Sequence, residues 1–272
     1  MKILIYVALS LIALSQIYLI CLMGRGENKA LVRFLNFRYA HRGLHQKPAI
    51  PENSLNAFSA AVKGGYGIEL DVHLMADGKL AVIHDSSLKR TANADVKIED
   101  LTEEDLKKYY LEGTRSKIPT LKQVLKKVNG KVPLLIELKS EGNVKALCEA
   151  VANELKDYKG DYMIESFDPR CIRWFRKNEP QVVRGQLTQN FFKENSSNLS
   201  FPLRLILSIL ILNVWNAPDF IAIRYSDRKN LSNIISRKYW KLGGFAWTID
   251  NIEDLEKAES EGYSVIFENI DL

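Results

Sequence analysis

Cysteine is scarce in this chain of 272 residues. The three cysteines, Cys21, Cys148 and Cys171, are too few and too irregularly spaced for a disulfide framework or a zinc site. A free cysteine usually serves as a small buried hydrophobic residue, and we expect that role here. The scarcity therefore excludes the small disulfide-rich secreted proteins and the cysteine-ligated metal proteins.

A strong excess of one charge is also lacking. The formal net charge is +5, from 38 basic against 33 acidic residues, and the basic residues are scattered along the chain. A nucleic-acid-binding protein would gather them into a stripe, so we expect no nucleic-acid partner. The modest positive charge permits a weak attraction to anionic lipid or to phosphate-bearing ligands. Nothing in the pattern indicates a protein partner.

A long uncharged run opens the chain at residues 3–23. As a helix it would extend about 30 Å, which matches the hydrocarbon core of a bilayer. A cleaved secretory signal is the alternative, but only Lys2 precedes the run and no A-x-A-like site follows it. We therefore expect one transmembrane anchor over residues 1–24 and a basic juxtamembrane linker over residues 25–37. The basic linker favours a cytoplasmic location for the rest of the chain, although Lys2 and the amino terminus place charge on the other side.

From about residue 38 onward, short apolar runs alternate with longer amphipathic stretches. Strands separated by helices indicate parallel pairing through right-handed crossovers, and a single α/β barrel fits this length. The predicted strands are residues 38–43, 66–72, 79–85, 132–139, 162–167, 182–187, 220–225, 244–249 and 263–267. The predicted helices are residues 54–65, 101–110, 120–130, 143–158, 169–178 and 252–262.

Nine predicted strands are one more than an eight-stranded barrel requires. No crossover helix fits between Val72 and Lys79. Either the strands on the two sides of this joint form a hairpin, or one of them lies outside the barrel.

A second apolar stretch, at residues 203–215, is apolar on every side of a notional helix. It is too short to span a membrane, so it must be buried or lie against lipid. We keep two interpretations: an ordinary barrel-covering helix, and an interfacial segment that docks on the same membrane as the anchor.

Titratable residues interrupt two of the predicted strands. Glu69 and Asp71 share one face of the strand at 66–72, because side chains alternate across a strand. Glu137 and Lys139 repeat this pattern in the strand at 132–139. In a barrel the apolar face packs against the helices, and the charged face points inward near the carboxyl ends of the strands, where such barrels hold their active sites.

Three inward carboxylates cannot all be ionised in a confined site without a compensating cation. Oxygen ligands suit a hard divalent ion, Mg²⁺ or Ca²⁺, rather than zinc. The sequence therefore predicts a metal site formed by Glu69, Asp71 and Glu137. The alternative is a structural network in which these carboxylates pair with Lys139 and Arg42.

Two histidines, His41 and His84, end apolar strands beside these carboxylates. Histidine is suited to proton transfer near neutral pH, although a purely structural role is an open alternative for both. Arg42 and Lys139 add cations that can bind a phosphate. Together with a metal, these groups describe metal-assisted hydrolysis of a phosphoester.

A series of motifs carries a resemblance to a known family. In order and spacing the motifs resemble the glycerophosphodiester phosphodiesterase family, and weaker similarity through ESFDP and AWTID extends the likeness over residues 38–272. The motifs are HRG (41–43), PENSLNAF (51–58), GGYGIELDVH (64–73), DGKLAVIHD (77–85), LKRT (88–91), IPTLKQVL (118–125) and IELK (136–139).

The resemblance implies a TIM (β/α)8 barrel and a metal-dependent phosphodiesterase of phospholipid and glycerol metabolism at the membrane. Such an enzyme cleaves glycerophosphodiesters to sn-glycerol 3-phosphate and an alcohol. For Glu52 and Asn53 a turn-forming role, and for Trp247 a place in the core, are equally compatible with the sequence. By position, the resemblance implies the acid–base pair His41 and His84, the metal ligands Glu69, Asp71 and Glu137, the phosphate-contacting cations Arg42 and Lys139, the loop residues Glu52 and Asn53, and Trp247 near the pocket mouth.

The chain departs from the family pattern at two places. Met75-Ala76 stands where a threonine usually precedes the DG turn, and Glu268 stands near the usual final aspartate. We expect both positions to lie outside the metal and histidine set and to affect substrate preference. His73 is likewise expected outside the site. A lysophospholipase D and a catalytically silent barrel that binds lipid headgroups are the alternative functions.

Overall fold

The computed structural model describes residues 1–193 and 199–272. Within these residues there are nine strands and twelve α-helices. The strands are β1 Tyr39–Ala40, β2 Gly67–Leu74, β3 Leu80–Val82, β4 Leu134–Leu138, β5 Tyr162–Ser166, β6 Val183–Thr188, β7 Phe220–Arg224, β8 Gly243–Ile249 and β9 Ser264–Phe267. The helices are α1 Lys2–Cys21, α2 Val32–Leu35, α3 Leu55–Gly64, α4 Lys89–Ala92, α5 Glu103–Leu106, α6 Leu121–Val128, α7 Val144–Leu155, α8 Pro169–Asn178, α9 Phe201–Ser208, α10 Asn213–Asn216, α11 Leu231–Lys238 and α12 Ile252–Ser260.

Eight of the described strands close into a parallel barrel. The order around the barrel is β1, β2, β4, β5, β6, β7, β8 and β9, and β9 pairs back with β1. The ninth strand, β3, pairs antiparallel with the end of β2, with Val72 opposite Val82. The barrel is confirmed. The short joint between β2 and β3 is a hairpin, and β3 lies outside the barrel.

Side-chain caps fix where several helices begin. Ser54 accepts a hydrogen bond from the Ala57 backbone N–H and starts α3. Thr120 and Gln123 form a capping box at the start of α6. Each such cap contributes about 0.5–2 kcal/mol to stability. The alternation of strands and capped helices in the sequence thus leads directly to the alternation in the barrel. The sequence prediction missed the helices α2, α4 and α11.

The alternation of side chains along the strands divides the core in two. Outside the barrel, Ile68, Leu70 and Val72 are fully buried against the helices. Inside, aromatic rings fill the amino-end half, where Phe220 and Phe245 lie 4.6 Å apart between centroids. The outward face of each strand therefore holds the helices, and the inward face encloses the interior.

The segment expected to be a linker, residues 25–37, packs under the amino ends of the strands. Leu31 and Phe34 are buried in the inner core cluster. The Arg25 backbone N–H donates to the Pro218 carbonyl over 2.9 Å, and Asn28 Nδ2 donates to Asp219 Oδ1 over the same distance. These contacts close the amino end of the barrel.

The apolar stretch at 203–215 forms two helices. The helix predicted across it is interrupted, because α9 ends at Ser208 and α10 begins at Asn213. Leu203 and Leu205 of α9 are exposed, whereas Ser208 at its carboxyl end is buried.

The amino-terminal helix α1 stands apart from the barrel over most of its length. It contains no buried residue. Among the described residues it is the one helix that is long and apolar enough to cross a membrane.

Candidate active site

A row of carboxylates crosses three neighbouring strands inside the barrel. The register pairs Asp71 of β2 with Glu137 of β4, and Glu137 with Glu165 of β5. Glu69 lies two residues before Asp71 on the same face of β2, and all four side chains are buried. Side-chain oxygens of Glu69, Asp71 and Glu137 lie within 4.8 Å of one another. The three predicted ligands therefore meet, and Glu165 is a fourth carboxylate that the sequence prediction missed.

Two cations reach this row. Lys139 Nζ lies 3.0 Å from Asp71 Oδ1 and 2.7 Å from Glu137 Oε1. Arg42 Nε lies 3.5 Å from Asp71 Oδ2, and the Arg42 backbone N–H donates to Glu69 Oε2 over 2.9 Å. Glu165 Oε2 is buried and has no hydrogen-bond partner in the described residues. If all four carboxylates were ionised, these two cations would leave two negative charges uncompensated.

The pKa values show how the protein alone accommodates this excess. Burial, together with the neighbouring Asp71 and Glu137, raises the pKa of Glu69 well above its ordinary value. Burial also raises the pKa of Glu165 well above it. At Asp71 burial opposes ionisation, but Lys139 and Arg42 outweigh it and hold the pKa well below the usual range. A divalent cation would supply the two missing charges, and an all-oxygen donor set suits a hard ion. The residues present fit a divalent metal.

His41 follows β1 at the carboxyl end of the barrel. Its Nδ1 lies 2.7 Å from Glu268 Oε2, and because a carboxylate can only accept, Nδ1 carries the proton. The other ring nitrogen, Nε2, lies 4.0 Å from Glu69 Oε2. Burial lowers the pKa of His41, against the opposing effect of Glu268. The lowered pKa favours the neutral imidazole, whose Nε2 is turned to the carboxylates.

The expectation that Glu268 lies outside the histidine set is therefore wrong. Glu268 fixes the tautomer and orientation of His41, and it also lies 3.6 Å from His45 Nε2. The hydrogen bond joins residues 227 positions apart. The sequence contained a clue to this contact: Glu268 directly follows the last apolar strand, and that strand closes the barrel beside His41.

His84 has a similar arrangement on the neighbouring hairpin. Its Nδ1 lies 2.6 Å from Asp85 Oδ1, and Arg90 Nε donates to the other oxygen of Asp85 over 2.6 Å. The hydrogen bond with His84, supported by Arg90, lowers the pKa of Asp85. His73 Nε2 donates to the His84 carbonyl oxygen over 3.0 Å. His73 thus holds the backbone of His84.

The loop with Glu52 and Asn53 supports the site from one side. Asn53 adopts a φ of +52° and donates from Nδ2 to Asp71 Oδ2 over 2.8 Å. Glu52 accepts from Arg42 over 2.8 Å and from Lys47 and Arg90 over 2.6 Å each. Burial opposes ionisation of Glu52, but these cations outweigh it and lower its pKa. The loop both makes a turn and orients the charged groups of the site.

Trp247 lies on β8, near the carboxyl end of the barrel. Its ring meets Phe167 edge-on with centroids 5.6 Å apart, and the Arg224 guanidinium lies over the ring at 5.3 Å. Phe167 in turn contacts Phe191 at 6.0 Å. These three rings, Phe167, Phe191 and Trp247, form an aromatic wall beside the mouth of the barrel.

The carboxyl end of the parallel barrel, with the adjoining hairpin, therefore holds a carboxylate cluster that fits a divalent metal, two oriented histidines, and the cations Arg42 and Lys139. This combination is typical of phosphoric diester hydrolases that use a metal. The chain belongs to the glycerophosphoryl diester phosphodiesterase family, whose model matches residues 41–259. The resemblance inferred from the motifs is confirmed.

Curated relatives agree with this assignment. A glycerophosphodiester phosphodiesterase of Caldanaerobacter subterraneus is 31% identical over 235 residues, which cover 82% of this chain and 89% of that protein. A lysophospholipase D of Homo sapiens is 30% identical over 206 residues, which cover 71% of this chain and 60% of that protein.

Solved structures show the same fold. A glycerophosphodiester phosphodiesterase of Thermotoga maritima aligns with a TM-score of 0.66 at 27% identity, covering 85% of this chain and 93% of that chain. A phosphodiesterase of Oleispira antarctica, in complex with the product sn-glycerol-3-phosphate, aligns with a TM-score of 0.71 at 23% identity, covering 87% of this chain and 94% of that chain.

Proposed function

We propose that this chain is a membrane-anchored enzyme that hydrolyses glycerophosphodiesters to sn-glycerol 3-phosphate and an alcohol. One observation carries the proposal beyond family membership: the buried carboxylate row lacks two positive charges, and a divalent cation supplies them. Glu69, Asp71 and Glu137 would hold that cation, Mg²⁺ or Ca²⁺. A bound cation would supply Lewis-acid polarisation of the phosphate and would favour formation of the nucleophile.

The remaining residues bind the phosphate and move protons. Arg42 and Lys139 lie against the carboxylates and are placed to attract the substrate phosphate. His41 turns Nε2 toward the site, and its lowered pKa favours the neutral form, so it accepts the proton of the attacking oxygen. His84 gives a proton to the leaving alcohol. The proton count then balances: one proton is taken from the nucleophile and one is returned to the product alcohol.

Glu268 and Asp85 act through the histidines. Each accepts from the Nδ1 of one histidine, which fixes the ring and leaves Nε2 for chemistry. Glu52 and Asn53 have the same indirect role toward Arg42 and Asp71. Trp247 lines the mouth, where it contacts the alcohol or glycerol portion of the substrate.

A panel of glycerophosphodiesters tests the proposal, with Mg²⁺ or Ca²⁺ supplied and then removed by a chelator. We expect turnover that the chelator abolishes and that either metal restores. Glu69→Gln should lose turnover, while Glu149→Gln, on the exposed side of α7, serves as the matched control and should not. Absence of turnover on every substrate with either metal would favour the silent headgroup-binding barrel.

A second activity, lysophospholipase D, is favoured by one specific observation. The aromatic wall and the exposed apolar residues of α9 lie beside the mouth and offer a surface for an acyl chain. Comparing turnover of glycerophosphocholine and lysophosphatidylcholine under the same conditions separates the two activities.

The anchor itself is part of the proposal. Helix α1 is 20 residues long, has a mean hydropathy of 2.3 and buries none of its residues in the protein, as expected of a helix surrounded by lipid. The basic residues that follow it favour a cytoplasmic barrel. Resistance to extraction at alkaline pH tests the anchoring, and protease accessibility in sealed vesicles tests the side of the membrane.

A further inference from the structure

The carboxyl-terminal turn of α1 is attached to the barrel along α11. Leu22 is fully buried, and its carbonyl accepts from Ser236 Oγ over 3.3 Å. One turn earlier in both helices, Tyr18 Oη lies 2.8 Å from Ser232 Oγ. Residue 18 contacts residue 232, and residue 22 contacts residue 236. Because the numbers increase together along both helices, α1 and α11 run in the same direction.

This direction determines where the rest of α1 lies. Helix α11 follows β7, so its amino end is at the carboxyl end of the barrel, the end that carries the active site. Residues 2–17 of α1 precede the attached turn, and all of them are exposed. At 1.5 Å per residue this free part extends about 24 Å. It therefore projects beyond the catalytic end of the barrel, not beyond the closed amino end.

Helix α9 lies at the same end. Thr188, the last residue of β6, donates to the Leu207 carbonyl over 3.1 Å, and Asn230 Nδ2 donates to the Ser208 carbonyl over 3.0 Å. Leu231, between Asn230 and the α1-binding Ser232, is 63% exposed. The end of α9, the start of α11 and the point where α1 leaves the barrel are thus neighbours.

Exposed apolar side chains connect this region with the active site. Phe201, at the start of α9, is 70% exposed and contacts Phe192 with ring centroids 5.4 Å apart. Phe192 directly follows Phe191 of the aromatic wall. We call this surface the apolar collar: Phe192, Phe201, Leu203, Leu205 and Leu231, all of which are exposed.

We propose that the catalytic end of the barrel faces the bilayer that α1 enters, with the apolar collar inserted in the lipid interface. The inference rests on the anchoring in the proposed function. Exposed apolar side chains gathered at one end of a protein are unfavourable in water, and the collar adjoins the helix proposed to enter the bilayer, so we assign lipid rather than another protein as its covering. The enzyme then takes its substrate from the membrane surface through a mouth lined by the aromatic wall.

Depth-dependent quenching in liposomes tests the orientation. The full chain carrying Leu203→Trp is compared with Val32→Trp, which alters an exposed apolar residue at the closed amino end, and the wild-type signal is subtracted. Bromine-labelled phosphatidylcholine should quench the added tryptophan of Leu203→Trp from a depth of about 5–10 Å below the headgroups. Aqueous iodide should quench only that of Val32→Trp.

Three results would overturn the proposal. Iodide quenching of Leu203→Trp as strong as that of Val32→Trp would place the collar in water. Protection from both quenchers would place it against protein, such as a second copy of the chain. Release of the protein at alkaline pH would remove the anchoring on which the orientation depends. Because no arm measures hydrolysis, failure of the proposed enzymatic activity would be seen separately.

Discussion

The amino-end and carboxyl-end halves of the barrel interior are built by the same strands and have opposite characters. On β4, Leu135 and Glu137 share the inward face two residues apart, and on β5 Met163 and Glu165 do the same. Leu135 and Met163, in the amino-end half, pack against aromatic rings. Glu137 and Glu165, in the carboxyl-end half, belong to the carboxylate row. One step of the strand alternation therefore separates the residues that stabilise the barrel from those that bind the cation and substrate.

The largest effect on activity is expected from a substitution in the carboxyl-end half. His84→Ala should lower kcat/KM by about 10²–10⁴-fold, because the leaving alcohol loses its proton donor. The side chain is 35% exposed, so the thermal midpoint should change little. Steady-state kinetics and thermal unfolding of the same preparation check both parts. Full activity of this variant would remove His84 from the mechanism.

A substitution in the amino-end half is expected to reduce stability and leave catalysis unchanged. Phe245→Ala should lower the free energy of unfolding by about 3–5 kcal/mol, because it leaves a cavity beside Phe220 and Tyr39. The fraction that stays folded should keep its kcat. Urea unfolding and active-site-normalised kinetics provide the measurements. If kcat of Phe245→Ala fell as far as that of His84→Ala, stability and catalysis would not be divided between the two halves of the barrel.

Glu165→Gln tests whether Glu165 belongs to the metal site or to the core of the barrel. The substitution removes one carboxylate of the row while keeping its shape, so metal affinity should fall about 10–100-fold, as for other groups that support a metal site. The chelated protein should become more stable, because a buried, unpaired acid is replaced by a neutral group. Calorimetric titration with Mg²⁺ or Ca²⁺ measures the affinity. An unchanged affinity would assign Glu165 to the core alone.

The last prediction concerns pH. A carboxyl whose folded-state pKa is raised stabilises the fold at low pH, and this contribution is lost as the pH rises through the raised pKa. Glu69 and Glu165 are of this kind. In chelator the protein should therefore be more stable at about pH 6 than at about pH 8, by at most about 1.4 kcal/mol per pH unit for each group. Saturating metal should abolish the difference, and a rise in stability with pH in chelator would contradict the assignment.

Local sequence patterns were sufficient for most of the fold. Period-two alternation placed Glu69 and Asp71 inside and Ile68 outside, because burial of one face leaves a strand a single register. Caps such as Thr120 marked the helix starts. The interruption between α9 and α10 was missed, because an apolar run carries no periodic signal that reports a break.

Strand alternation was sufficient to bring Glu69, Asp71 and Glu137 together, but two residues were missed because their contacts join distant parts of the chain. Glu268 reaches His41 only because β9 closes the barrel next to β1, and closure is a property of the whole sheet. Glu165 was passed over because its role depends on register with Glu137, which the sequence of β5 alone does not contain.

The attached end of α1 has a consequence for preparing the catalytic domain without its membrane helix. The Leu22 side chain is buried in the core, and its carbonyl accepts hydrogen bonds from Ser236 and Asn213. The Leu19 carbonyl accepts from Trp240 Nε1. Cutting the chain after residue 24 would uncover an apolar groove and leave these donors without acceptors. A well-behaved soluble fragment should therefore begin before Tyr18, at the cost of keeping one exposed apolar turn.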